Sequence, residues 1–259
     1  MTWKVVHASV AGRHRAPRPT SNQDHYQVRL IHDPEGNPLL VALLCDGAGG
    51  VAFGGEGSAL ACLLLARDLT RFFHRHRLAA LSRSWVEDWI HRFRDLLWEV
   101  GERHGASPVH FATTLVGCVA GEDAAAFFQV GDGAMVVRSP GSPGRYGAVF
   151  WPEQGEYAHT TAFVTDPDCV RHLQFATAGP IDELALFSDG LQRLALDWTR
   201  LAPHAPLFQQ LFADLRRLPS PEPEGNQALE RLLRSEPVAS RTDDDRTLIL
   251  AIRRGVDAP

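Results

Sequence analysis

The chain has 259 residues, is 44% hydrophobic and carries a formal net charge of −5. That length supports one large core or two small ones, and the mild acidity without a basic block argues against a nucleic-acid partner. The longest apolar runs, such as LACLLLA (60–66), are far short of a membrane span, and MTWKVVHASV lacks the basic head and long apolar stretch of a signal peptide, so a soluble cytoplasmic protein is expected.

The pattern opens with a strand, WKVVHASV, followed by an Arg- and Pro-rich loop, AGRHRAPRPTSNQD. HYQVRLI alternates as a half-buried strand does. The turn cluster DPEGNP leads to LLVALLC, which is apolar throughout and therefore reads as a central strand buried on both faces. From Glu56 to about His76, apolar residues recur at helical spacing, and a second helical stripe runs from about Trp85 to Arg103. Ser84, with Glu87 three residues on, predicts a capping box at the start of that second helix.

Strands return in FATTLVGCVA, AAAFFQVG and GAMVVRS, with GEDA as a hairpin turn. The segment of about residues 141–168 is irregular. HLQFATAG and ELALFSDG read as two more strands, and helical patterns follow at about Pro206–Leu218 and Asn226–Ser235. The polar turn SRTDDD precedes a last strand, RTLILAI. Strands, two helices, strands, then helices and a strand do not alternate βαβα, which argues for antiparallel sheets covered by helices. The α+β class and one domain over 1–259 are expected. The four cysteines form no C-x-x-C pair, and Cys45 reads as core packing.

The acids fall at strand ends. Asp46, Asp132 and Asp189 each stand before a glycine after an apolar strand, Asp24 precedes a strand, and Asp243, Asp244 and Asp245 precede the last one. One D-G is an ordinary turn dipeptide. Several acids gathered at one end of adjacent strands repel one another unless cations neutralise them, and oxygen-only clusters select hard ions such as Mg²⁺ or Mn²⁺.

In that order NQD, CDGAGG…GGEGSALA, FATTL, VGDG, FSDGL and DDRTL resemble the metal-dependent protein phosphatases of the protein phosphatase 2C family, and WPEQGEYAHTTAF resembles a segment of its bacterial branch. The resemblance runs from Lys4 to about Arg253. It implies a four-layer αββα sandwich of two antiparallel sheets flanked by helix pairs, with a flap-like segment at about 141–168. It also implies a metal-dependent serine/threonine protein phosphatase that hydrolyses phosphoserine and phosphothreonine by attack of a metal-bridging hydroxide. The alternative is a catalytically weak or inactive regulatory or binding protein on the same fold. Two Mn²⁺ or Mg²⁺ ions are implied, with Asp46 bridging them, the Gly47 carbonyl on the first, and Asp189 and Asp244 on the second. Asp244 is favoured over its neighbours because it lies three residues before Thr247. Asp24 is implied to act through metal-bound water, and Asp132 with Asp189 to be able to hold a third ion.

The phosphoryl oxygens need a fixed cation, and the loop carrying Arg13, His14, Arg15 and Arg18 offers candidates whose planar guanidinium forks match phosphate. Arg13, Arg18 and His14 are the phosphate-side candidates. The chain departs from the family in three places: Gln23 stands where many members have Glu, Ala48 where eukaryotic members often have His, and the arginine spacing of the first loop differs. A phosphorylated protein is the implied substrate, with a cognate serine/threonine kinase or a von Willebrand-type domain protein as implied partners, and neither nucleic acid nor membrane.

Overall fold

A computed structural model describes residues 3–12, 22–102, 105–152, 161–220 and 223–253. In chain order the elements are β1 (Trp3–Val10), β2 (Asp24–His32), β3 (Pro38–Asp46), α1 (Gly54–Phe73), α2 (Arg83–Glu102), β4 (Leu115–Ala120), β5 (Ala125–Val130), β6 (Ala134–Arg138), β7 (Gly147–Ala148), β8 (Gln174–Ala178) and β9 (Glu183–Phe187). They continue with α3 (Gln192–Ala195), β10 (Leu196–Asp197), β11 (Ala202–Pro203), α4 (Ala205–Arg217), α5 (Glu224–Arg234), α6 (Glu236–Ala239) and β12 (Arg246–Arg253). Two five-stranded sheets carry the fold, in the orders β1-β12-β9-β6-β7 and β2-β3-β4-β5-β8, and every ladder is antiparallel.

The period of two along each strand divides the apolar residues among three layers. On β3, Leu40, Ala42 and Leu44 face the second sheet, where they meet Leu184, Leu186, Ile249 and Ala251. Leu39, Val41, Leu43 and Cys45 point the other way, into a layer shared with Leu65 and Leu69 of α1 and Trp89 and Phe93 of α2. On β12, Leu248, Leu250 and Ile252 face Phe208, Phe212, Leu229 and Leu233 of α4 and α5. Sheets face each other at the centre and helices cover both outer faces, which is the αββα sandwich. Both faces of β3 are buried, so LLVALLC shows no alternation in sequence.

One cross-strand pair in this packing is asymmetric. Gly117 on β4 stands opposite Phe128 on β5, and a Cβ at Gly117 would overlap the Phe128 ring. The glycine gives the ring room to lie across the sheet, into the α1 and α2 layer. Gly117→Ala is therefore expected to destabilise the fold by roughly 1–3 kcal/mol, the usual cost of overpacking. Urea unfolding checks this, and Phe128→Leu in the same chain should recover part of the loss.

Two expectations need correction. The cap of α2 is Ser82, whose Oγ accepts the Trp85 amide at 3.3 Å, and Ser84 lies inside the helix. Glu87 accepts from Arg83 Nε at 2.7 Å instead of closing a capping box. Ser84 and Ser82 are equally good caps by type, and the helix takes the earlier one. Strand β4 begins at Leu115, because Pro108–Phe111 forms a 3₁₀ turn.

Candidate active site

The interior rows of two adjacent strands end in carboxylates. Asp24 opens β2 and Asp46 closes β3, and they are direct partners across the ladder. Their parity places them on the face that carries Leu40, Ala42 and Leu44, so the space between the sheets ends in acid. Asp189 follows β9 as the first residue of a 3₁₀ turn, Asp132 lies in the turn between β5 and β6, and Asp244 precedes β12. Asp46, Asp132, Asp189, Asp244 and Asp245 line one pocket of ≈ 140 Å³ together with Gln23, Gly47, Ala48, Gly49, Thr114, Thr161 and Phe163. Among the described residues that line it, none is Lys, Arg or His.

Hydrogen bonds hold Asp46 and Asp132 in place. The Asp46 carbonyl accepts from Thr113 Oγ1 at 3.0 Å and from the Thr114 amide at 2.8 Å, and the Asp46 amide donates to Thr114 Oγ1 at 3.0 Å. Beyond it the chain doubles back so tightly that a Cβ on Gly47 would meet the Gly54 carbonyl. The glycines of CDGAGGVAFGG thus let the strand end lie against the first turn of α1. Asp132 Oδ2 accepts from Thr161 Oγ1 at 2.7 Å, and its carbonyl accepts from the Gln192 side chain.

Asp245 has a different role from its neighbour. Its two carboxylate oxygens accept the amides of Gly12 at 2.7 Å and Gln23 at 2.6 Å, so it clamps the first loop to the last strand. Asp244 accepts the Asp245 amide at 2.9 Å and lines the pocket. Asp243 does not line it. Arg13, His14, Arg15 and Arg18 lie outside the described residues, as do residues 153–160 of the flap-like segment. The other side of that segment reaches the site through Thr161 and Phe163.

Burial and like charge act together on these groups. Desolvation, then the negative charge of Asp24, Asp189, Asp244 and Asp132, raises Asp46 well above the usual carboxylate range. Burial first, then Asp132, Asp244 and Asp24, pushes Asp189 up to about 7. Asp24 is also pushed up to about 7, chiefly by burial, which the hydrogen bonds of Thr247 and Ser188 oppose and the charges of Asp245 and Asp244 reinforce. Asp24 Oδ1 and Asp189 Oδ1 are buried with no hydrogen-bond partner. Unpartnered carboxylate oxygens in a mutually repelling, oxygen-only set are the donors that hard divalent cations take. Among the described residues, no three His, Cys, Asp or Glu groups close tightly enough to hold an ion as they stand, and the acids line the pocket wall. The donor chemistry suits Mg²⁺ or Mn²⁺.

Residues 11–234 match the family model described as Protein phosphatase 2C. The chain belongs to the protein phosphatase 2C family. It is a phosphoprotein phosphatase, a hydrolase of phosphoric monoesters, and the family is metal-dependent. It is 32% identical over 257 residues to serine/threonine-protein phosphatase 3 of Escherichia coli K12, which covers 97% of this chain and 99% of that one. A bacterial serine phosphatase structure superposes with a TM-score of 0.64 at 18% identity, over 99% of this chain and 100% of that one. RsbX in complex with magnesium superposes with a TM-score of 0.57 at 14% identity, over 96% of this chain and 94% of that one. The two structures speak to the fold, which is the sandwich described above. Among the described residues no helix is long and apolar enough to cross a membrane.

Sequence reasoning passed over Thr114, Thr161 and Ser188, although FATTL and FSDGL contain the first and last of them. A hydroxyl directly before a strand-end acid is the signal that would have found Ser188, whereas Thr114 and Thr161 reach their acids only through the fold.

Proposed function

We propose that this serine/threonine protein phosphatase works through a centre of two Mn²⁺ or Mg²⁺ ions held by Asp46, the Gly47 carbonyl, Asp189 and Asp244, with Asp132 available to a third. The observation that carries the reading is the convergence of Asp46, Asp132, Asp189 and Asp244 on one pocket whose described lining includes no cation. Such ions, when bound, neutralise phosphoryl oxygens and ionise water near neutral pH. The chain's part is to orient the donors. Thr113 and Thr114 fix the end of β3, Thr161 holds Asp132, and Asp245 ties both ends of the loop between β1 and β2 beside Asp244.

Asp24, the ladder partner of Asp46, is proposed to act on the centre from behind the pocket wall, and its buried Oδ1 has no hydrogen-bond partner. Arg13 and Arg18 are proposed to bind the substrate phosphate, with His14 beside them. The substrate is a phosphoserine or phosphothreonine protein. By family likeness a serine/threonine kinase supplies that phosphate, and a von Willebrand-type domain protein is a second proposed partner. A cytoplasmic setting is supported by four buried cysteines, all of them free thiols. The proposal takes residues 1–259 as one catalytic domain.

The test is phosphate release from a phosphothreonine peptide with and without Mn²⁺. Release should depend on the metal and fall at least about a hundredfold in Asp189→Asn, as expected for loss of a ligand charge. Full metal-dependent release by Asp189→Asn would overturn the proposed centre.

A further inference from the structure

We propose that Ser9 and Asn22 are positioning residues that set the orientation of Asp24 through a closed ring of hydrogen bonds. The inference rests on the proposed placement of Asp24 beside the metal centre. The ring starts at the Asn22 side chain, whose Oδ1 accepts the Asp24 amide at 3.0 Å and whose Nδ2 donates to Ser9 Oγ at 2.7 Å. Ser9 Oγ lies 2.6 Å from Thr247 Oγ1, and Thr247 Oγ1 donates to Asp24 Oδ2 at 2.7 Å. Both ends of the ring therefore fall on Asp24, one on its backbone and one on its carboxylate.

The count of protons gives the ring a direction. A threonine hydroxyl has one proton, and that of Thr247 goes to Asp24, so Thr247 must accept from Ser9. The single Ser9 proton is then committed, and Ser9 must accept from Asn22. The Asn22 amide nitrogen donates there because its oxygen is already turned to the Asp24 amide. Ser188 Oγ adds a second donor to Asp24 Oδ2 at 2.8 Å, and itself accepts the Thr247 amide at 3.0 Å. Two donors converge on Oδ2, and Oδ1 is the oxygen left without a partner. The ring thus decides which carboxylate oxygen is held by donors and which is left without one.

The ring also joins the two sheets. Ser9 and Thr247 are ladder partners on β1 and β12 of one sheet, and Asp24 begins β2 of the other. Thr247 and Ser188 are fully buried and Asp24 is 4% exposed, so water cannot replace a lost member at the carboxylate. Ser9 differs, because it borders an open groove of ≈ 470 Å³ with His7, Tyr26 and Asn226. That groove gives space for the extra methyl of a threonine, which keeps the hydroxyl.

The experiment compares Ser9→Ala, Ser9→Thr, Asn22→Ala and Asp24→Ala with the wild type, each checked by circular dichroism and assayed well below its melting temperature. The readouts are kcat and KM on a phosphothreonine peptide and, independently of turnover, Mn²⁺ affinity by calorimetry. Asn22→Ala opens the ring on both sides and should lower kcat or Mn²⁺ affinity roughly tenfold, the usual scale for a group that orients a ligand from behind. Ser9→Ala should lose a smaller factor in the same parameters with KM unchanged, and Ser9→Thr should return to within about twofold of wild type by keeping that donor. A ring that only stabilises the fold would lower the melting temperature and leave kcat and Mn²⁺ affinity intact. That result, or Ser9→Thr as impaired as Ser9→Ala, would overturn the inference while Asp24→Ala remains defective. If Asp24→Ala itself behaves as wild type, the proposed role of Asp24 fails and the inference falls with it.

Discussion

Asp46→Asn is expected to lose phosphate release and, with divalent ions chelated, to melt above the wild type at pH 8. The loss follows from removing the acid proposed to bridge both ions. The gain follows from the metal-free electrostatics. In the unfolded chain an aspartate titrates near 3.8, whereas in the fold Asp24 and Asp189 are pushed up to about 7 and burial raises Asp46 well above the usual carboxylate range. Below about pH 4 these groups are protonated in both states. As pH rises toward 7 the unfolded chain releases protons that the fold retains, so their contribution falls across that window. It has fallen furthest when the buried acids are charged. One shift of this size is worth on the order of 4 kcal/mol, and each kcal/mol moves the melting temperature about 2–4 °C in a chain of this length. Asparagine cannot titrate, so the variant escapes the share of stability that the buried Asp46 itself gives up as pH rises. Thermal melts in chelator at pH 5.5 and pH 8 check this: the wild type should lose more on the way up than Asp46→Asn. Parallel pH profiles would refute it. With Mn²⁺ added the order should invert, because only the wild type gains from binding.

How much of this was legible in the sequence depends on what each residue's neighbours reveal. The sandwich could be read because amphipathic helices and strand runs in that order exclude a parallel sheet, and six motifs fall in family order. The acids could be located at strand ends for the same reason. Their convergence could not. Asp24 meets Asp46 through the register of β2 on β3, and a register is a property of two strands that neither shows alone. The facing of Asp46 was hidden as well, since the unbroken apolar run of β3 gives no clue which residues look inward. The triplet Asp243, Asp244, Asp245 illustrates the limit differently. All three are acids in one turn, and only the amide contacts of Gly12 and Gln23 mark Asp245 as a clamp. Asn22 lay inside the NQD motif, but its bond to Ser9 crosses from one sheet's edge to the other's and leaves no local trace.

At the opposite end of β9 from Asp189, Glu183→Ala is expected to cost the fold about 3–5 kcal/mol, the scale for stripping one partner from a buried ion network. Glu183 and Asp182 are each 1% exposed. Glu183 Oε1 takes Arg138 Nε at 2.9 Å and the Arg216 guanidinium, and Oε2 accepts from Tyr146 Oη at 2.7 Å. Asp182 meets Arg138 at 3.4 Å and Arg253 at 3.1 Å. Removing Glu183 leaves three guanidinium groups around one carboxylate, and the Arg138 and Arg253 side chains are each only 10% exposed, so water cannot hydrate them fully. Arg216→Ala should cost much less, because that side chain is 34% exposed and its removal leaves Glu183 still paired with Arg138 and Tyr146. Urea midpoints for the two variants separate the cases, and equal midpoints would refute the asymmetry. The network ties β6, β9, β12 and α4 at the end of the sandwich away from the acids. Glu183→Ala should therefore keep its metal-dependent phosphate release at temperatures where it remains folded, which separates the residues that hold the sheets from those that hold the site.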